Sequence, residues 1–323
     1  MPQNMEVIVL VGGFGTRLRP WTEDRAKPLL PILDKTLLER VIEVVPEDLI
    51  SRVIVAAGHG VEQIENFFLK KNTNYEVVIS VENEALGTGG AVGLAAKKLN
   101  GTGPVLILNG DLISSVNVSE LLNHHKKTGA RATLSLWEVE DPSRFGVCDL
   151  DESGMIRRFQ EKPDPGTEFS NFINAGCVIV SRDLINNFSS NKHSMERVVF
   201  PSVAESGDMA GLVFSGYFVD AGTPTSYIEA AQTCIKNNRF TSGKKIDDSW
   251  YGKGVQNTSS SVRCSIGDNV SIDETSILSD CVVLKNAIIG KDVKLERCLI
   301  GEASIISDKT ILSDAVINHY STL

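Results

Sequence analysis

None of the apolar runs in this 323-residue chain approaches the roughly 20 residues a helix needs to cross a membrane. Met1-Pro-Gln-Asn4 has neither the basic nor the apolar stretch of a secretion signal, so a cytoplasmic protein with no membrane partner is expected. Positive charge is in deficit: 32 Lys and Arg against 41 Asp and Glu leave a formal net charge of -9, which argues against nucleic acid as the main partner. The six cysteines contain no Cys-x-x-Cys pair, which disfavours a zinc site or a disulfide framework and fits buried, reduced thiols. Two common phosphate loops are also missing. The Walker pattern needs Gly-Lys-Ser/Thr where this chain has Thr16-Arg17-Leu18, and the dinucleotide fingerprint needs a glycine where it has Leu18.

A different anion site is present. In Val7-Ile-Val-Leu-Val-Gly-Gly-Phe-Gly-Thr-Arg-Leu-Arg-Pro20 an apolar strand delivers Gly12, Gly13 and Gly15, with Arg17 and Arg19, to one turn. Glycines let backbone approach a ligand closely, and arginine offers the fork that phosphate oxygens accept. Within an acidic chain, the cluster Arg17, Arg19, Arg25 and Lys27 points to a small anion. A turn with incidental glycines is the competing reading.

Short apolar runs at 5–11, 52–57, 76–81 and 104–109 read as buried strands, and 36–45, 61–70, 88–99 and 118–128 as helices between them. That alternation predicts an α/β fold, a Rossmann-like and mostly parallel sheet flanked by helices. Ligands gather at the carboxyl ends of such strands, where the Gly12–Gly15 turn, Gly87-Thr88-Gly89 and Asn109-Gly110-Asp111 all fall. Further strands are expected at 131–139, 146–150, 155–160, 173–180 and 211–219, and helices near 195–205 and 224–237.

The last sixty residues repeat. Cys264, Cys281, Cys298 and Ala315 are seventeen apart, and this register aligns Ile266, Val283, Ile300 and Ile317, then Ile272, Ile289, Ile306 and Leu323, then Leu278, Leu295 and Leu312. Three inward aliphatic columns imply a three-sided parallel β-helix, with tight corners at the small residues two before most of those aliphatics (Cys264, Ala287, Ser304 among them). About three coils rarely stand alone, so docking or oligomerisation through this region, as a homodimer or tetramer, is expected. The organisation predicted is 1–237 for the first domain, 238–262 as linker and 263–323 for the β-helix.

Gly12-Gly-Phe-Gly-Thr-Arg-Leu-Arg-Pro20 with Lys27-Pro28 resembles the signature of sugar-1-phosphate nucleotidylyltransferases. Leu86-Gly-Thr-Gly-Gly90, Asn109-Gly-Asp111, Phe159-Gln-Glu-Lys-Pro163, Asn174-Ala-Gly176 and Asp220-Ala-Gly-Thr-Pro224 follow in the family's order, so the resemblance covers nearly the whole chain. It implies a catalytic domain that joins a sugar 1-phosphate to an NTP with release of pyrophosphate, and a left-handed β-helix tail. The chemistry must bring two polyanions together for in-line attack on the α-phosphate, so cations and positioning carry it.

By the resemblance, Arg17 holds the β- and γ-phosphates, Lys27 steadies the α-phosphate or leaving group, and Lys162 grips the sugar phosphate. Asp111 and Asp220 resemble a magnesium pair, which suits a hard cation; as residues alone they could equally cap or order their turns. Gly12, Gly13, Gly15, Thr16, Gly87 and Thr88 fall on the nucleotide side; Gly110, Gly146, Glu161, Asn174 and Gly176 fall on the sugar-phosphate side. Glu161 and Asn174 would read sugar hydroxyls.

Glu82 and Glu84 precede the second glycine turn, and a carboxylate can accept both the N1 and N2 protons of guanine. With the resemblance to mannose-1-phosphate guanylyltransferases this points to GTP, with UTP and dTTP as alternatives. Mannose 1-phosphate is the favoured acceptor; Gln160 departs from the usual Phe-Val-Glu-Lys-Pro, so glucose and manno-heptose 1-phosphates stay open. Ala221 departs from the family's more frequent Asp-Ile-Gly. Two other readings compete: a catalytically silent subunit, and an acyltransferase whose β-helix would have to use His319. His124 and His125 are expected on a helix surface.

Overall fold

The structure, a computed structural model, describes residues 4–255 and 261–323. Its chain divides into two compact units that are not contiguous in sequence: one from the start to Gly13 with Val41–Phe218, the other Phe14–Arg40 with Val219–Leu323. The boundary therefore passes through the glycine signature itself.

In the first unit, strands Glu76–Val81, Ile50–Ala57, Met5–Leu10 and Val105–Asn109 lie side by side and parallel, in that order. The Val and Ile runs of the last three are almost entirely buried, as expected for a sheet covered on both faces, while Glu76–Val81 at the edge is mostly half-buried. Phe172–Val180 then pairs antiparallel with Val105–Asn109 and begins the half that carries Ala132–Glu138, Gly146–Leu150, Ile156–Glu161 and Met209–Val213. One core runs beneath both halves, joining Ile8, Ile54, Ile107, Leu134, Val178, Phe159 and Phe200. Each such wholly buried side chain contributes about 1.5–3 kcal/mol.

Several local expectations change. The strand expected at 211–219 is two, Met209–Val213 and Phe218–Asp220, because Gly216 between them has φ 117°. The helix expected near 195–205 opens with a π-helical turn, Met195–Val199, before Phe200–Glu205. His125 is buried, its Nδ1 2.8 Å from the Thr133 hydroxyl, and burial pulls its pKa down to about 4.

In the second unit, short parallel strands stack on three sides in the seventeen-residue register: Leu278, Leu295 and Leu312 on one, Ile272, Ile289 and Ile306 on another, Ile266, Val283, Ile300 and Ile317 on the third. The aliphatics form one continuous core with Cys264, Cys281 and Cys298, whose thiols are buried and unbridged. Three of the column residues differ from expectation: Leu312 and Ile317 are only half-buried and Leu323 is 49% exposed.

The sharp corners also sit one residue earlier than the small residues. Arg263, Asp280, Arg297 and Asp314 precede the cysteine column with φ of 51–54°, and Arg263 pairs with Asp280 at 2.5 Å while Arg297 pairs with Asp314 at 2.7 Å. The small residue that follows then turns inward. Within the stretch expected to link the halves, Lys244–Ile246 and Ser249–Tyr251 are paired strands that extend one side of the solenoid; 256–260 lie outside the described residues.

Candidate active site

In the first unit, Gly12 follows strand Met5–Leu10 at the carboxyl edge of the sheet, and Val11 N–H donates to Ala56 O at 2.9 Å. Beside it lies Glu82, whose own N–H donates to Ala57 O at 2.9 Å. The Glu82 Oε1 stands 2.8 Å from where a Cβ on Gly12 would be, so the carboxylate lies against the turn and a side chain there would push it aside. A Cβ on Gly13 would meet nothing within 4 Å. Burial raises the Glu82 pKa above the usual carboxylate value, against the opposing hydrogen bond from the Leu86 backbone. Glu84, two residues on, is exposed.

The glycines of Leu86–Gly90 have a local cause as well. They open the helix Gly87–Ala96, and its Gly87, Gly89, Gly90 and Gly93 face has the chain at 188–193 directly against it; a Cβ on Gly90 would stand 2.6 Å from Asn191 O. Gly89 and Gly90 N–H donate to the His193 carbonyl at 3.1 and 3.3 Å, and His193 N–H returns a bond to Leu86 O at 2.9 Å. Thr88 donates its hydroxyl to Glu196 at 2.5 Å and accepts from Met195 N–H at 2.9 Å. Sequence reasoning missed His193 and Glu196; the signal was the number of glycines on one helix face, more than a phosphate turn requires.

Further along the same edge, Gly110 N–H donates to Leu10 O at 2.9 Å, and Asp111 follows half-buried. Strand Phe172–Val180 bulges between Asn174 and Val178, where Gly176 takes φ 67° and donates its N–H to Asn174 Oδ1 at 3.0 Å. A Cβ there would stand 2.6 Å from Asn109 Nδ2, so Asn109 and Gly176 are neighbours. Gly146 pairs across the strands with Glu161, and Glu161 holds Lys162 Nζ at 3.0 Å. Lys162 itself has φ 47°, a strained backbone for a residue with a side chain, fixed by its N–H bond to Phe145 O at 2.8 Å. Its side chain is 59% exposed, against 14% for Glu161, so the ammonium is presented while its carboxylate partner is held.

The second unit holds the rest of the signature. Gly15 has φ 63° and starts the turn Thr16–Leu18; its carbonyl accepts from Leu18 N–H at 2.9 Å and from the Thr22 hydroxyl at 2.9 Å. A Cβ at this glycine would be 3.0 Å from Lys27 Cβ, which brings Lys27 beside the turn. The Arg17 guanidinium lies across Gly222, with Arg17 Nη2 2.6 Å and Asp220 Oδ1 2.8 Å from where its Cβ would be. Arg17 and Asp220 therefore share one small patch, which the Asp220-Ala-Gly-Thr-Pro224 run keeps open by having glycine third. Thr223 caps the helix Pro224–Lys236 through a reciprocal bond with Ser226. Among the described residues no three His, Cys, Asp or Glu side chains form a ready-made metal cage.

Comparison with known proteins accords with these features. The nucleotidyl transferase family model matches residues 6–237, and the GlmU-like C-terminal hexapeptide model matches 230–317. The chain is 31% identical over 331 residues to mannose-1-phosphate guanylyltransferase 1 of Arabidopsis thaliana, covering 99% of this chain and 87% of that one. It is 31% identical to probable mannose-1-phosphate guanylyltransferase 3 of Oryza sativa subsp. japonica, covering 91% and 83%. Among solved structures, HddC from Yersinia pseudotuberculosis complexed with GMP-PN superimposes with a TM-score of 0.59 at 29% identity, over 71% of this chain and 98% of that one.

Proposed function

Because the chain belongs to the nucleotidyl transferase family, we propose that it transfers the guanylyl group of GTP to mannose 1-phosphate, giving GDP-mannose and pyrophosphate. The observation that carries the choice of base is Glu82: a nearly buried carboxylate over the glycine turn, its pKa raised by burial, is an acceptor suited to the two adjacent N–H donors of guanine. Uracil and thymine present one donor and would leave part of it unmatched, at a cost of about 1–3 kcal/mol.

In this reading the sugar phosphate oxygen attacks the α-phosphorus, a new P–O bond forms, and the bond to the bridging oxygen breaks as pyrophosphate leaves. Arg17 binds the β- and γ-phosphates, Lys27 the α-phosphate, and Lys162 the incoming phosphate, its strained backbone aiming it outward. Glu161 and Asn174 meet sugar hydroxyls, with Gly110, Gly146 and Gly176 along that side. The nucleotide side is formed by Gly12, Gly13, Gly15, Thr16, Gly87 and Thr88. No protein nucleophile is required.

Asp111 and Asp220 would hold magnesium. Two carboxylates completed by substrate phosphate oxygens are a donor set that this hard cation takes. When bound, the ion neutralises phosphate charge and orients the displacement.

A homo-oligomer formed through the solenoid is supported by its outward Val262, Ile277, Ile288, Ile305 and Ile311, all at least 41% exposed. No helix among the described residues is long and apolar enough to cross a membrane, in keeping with a cytoplasmic site of action. The acyltransferase reading loses its base, because His319 is buried and stacked on Trp21.

Pyrophosphate release measured for GTP, ATP, UTP and dTTP against mannose, glucose and manno-heptose 1-phosphates tests the assignment. GTP with mannose 1-phosphate is expected to be fastest, and Glu82→Gln should cut the preference for GTP over UTP by about tenfold or more. Preference for UTP or dTTP overturns the base assignment, and no turnover with any pair would make the chain a silent subunit.

A further inference from the structure

Asp268, Lys285, Glu302 and His319 are seventeen apart, and this column of the solenoid changes charge and chemistry on every coil. Two members are nearly buried, Glu302 at 7% and His319 at 6% exposure. A buried carboxylate and imidazole cost desolvation unless partnered, so the partners explain the column. Glu302 binds Arg25 at 2.6 Å and Lys285 at 3.3 Å, and its backbone N–H donates to His319 Nδ1 at 3.0 Å. Burial would raise the Glu302 pKa, but Arg25 and Lys285 outweigh it and keep the carboxyl below its usual value. The His319 ring stacks on Trp21 with centroids 5.6 Å apart at 24°, and the Trp21 indole N–H donates to Ile317 O at 2.8 Å.

Trp21 and Arg25 continue the signature turn. Thr22, between them, bonds the Gly15 carbonyl, and Gly15 opens the turn that carries Arg17. An unbroken series of contacts thus runs from the last two coils to the phosphate-binding arginine. Tyr227 also packs against Trp21, edge-on with ring centroids 5.7 Å apart.

We propose that Glu302 and His319 are positioning residues for nucleotide binding: they seat Arg25 and Trp21, and so fix where Arg17 and Lys27 stand. The β-helix then does more than cap or dock, since its final coils are part of the support for the triphosphate site. The kinetic half of this inference rests on the proposed nucleotidyl transfer; the structural half does not.

The test compares Glu302→Gln and His319→Ala with Leu295→Ala, a buried apolar substitution in the same solenoid. Amide hydrogen exchange is followed over residues 15–25 in the unliganded chain, and KM and kcat are measured separately for GTP and mannose 1-phosphate. Both column variants should speed exchange across 15–25 and lower kcat/KM for GTP, each by about tenfold, with KM for the sugar phosphate within about twofold. His319→Gln, which keeps an acceptor for the Glu302 N–H, should recover most of the loss. Leu295→Ala should lower Tm without either effect.

Exchange unchanged over 15–25, or changed no more than by Leu295→Ala, overturns the proposal. So does faster exchange with unchanged GTP kinetics, which would make the column a dock alone. Glu302→Gln, close to isosteric, decides if His319→Ala does not fold. Should the unaltered chain turn over no NTP, the functional reading fails while the exchange still decides whether the column orders the turn.

Discussion

The two compact units present chemistry in opposite ways. In the first, an irregular sheet gathers it at strand ends, where glycines admit other groups: Glu82 lies over Gly12, and Asn109 lies beside Gly176. In the second, a repeating solenoid hides uniform aliphatic columns, and its chemistry sits in polar columns that vary from coil to coil, Lys285, Glu302 and His319 among them. Candidate residues occur in both, with Asp111 and Lys162 in the first and Arg17, Lys27 and Asp220 in the second.

One candidate group can be removed from each unit in turn. Asp111→Asn should leave the fold intact and lower magnesium-dependent kcat by about a thousandfold or more, measured as pyrophosphate release. Retained activity would show that the first unit supplies no metal ligand. Arg17→Ala should lower kcat/KM for GTP by about a hundredfold, while Arg19→Ala changes it by less than about tenfold. Equal effects would mean that the turn acts as a diffuse positive patch, without the assigned contact near Asp220.

The smallest effect separates the units by stability. His125, in the first, is held neutral by burial, with a pKa lowered to about 4. Its unfolded form takes up a proton near 6.5, so its contribution is complete above that pH and is lost as pH falls toward 4, at up to about 1.4 kcal/mol per pH unit. Chemical denaturation at pH 7, 6 and 5 should show that decline, and His125→Gln should flatten it. A decline unaffected by the substitution would assign the acid sensitivity elsewhere.

Much of this was legible in the sequence for physical reasons. Parallel strands buried on both faces read as continuous Val and Ile runs, and a solenoid must repeat its inward residues, so Met5–Leu10 and the Leu278, Leu295 and Leu312 column stood out. What escaped depends on long-range packing. Nothing local distinguishes His125 from His124, although only the former is buried, and Leu323 satisfies the repeat yet is 49% exposed. The division of the signature after Gly13 was equally hidden, because the partners of Trp21 and Arg25 lie nearly three hundred residues away, at Ile317 and Glu302. For the site, residue types and order pointed to the candidates, while the burial of Glu82 and the backbone strain at Lys162 emerged only in three dimensions.

The most direct test of the central claim is phosphorus NMR of the purified chain with GTP, mannose 1-phosphate and magnesium. The GTP β-resonance and the sugar phosphate signal should disappear together, replaced in equal amounts by pyrophosphate and by the paired signals of a nucleotide diphospho-sugar. Loss of GTP to GDP and orthophosphate, or no change while another NTP is consumed with the same sugar phosphate, would contradict the claim.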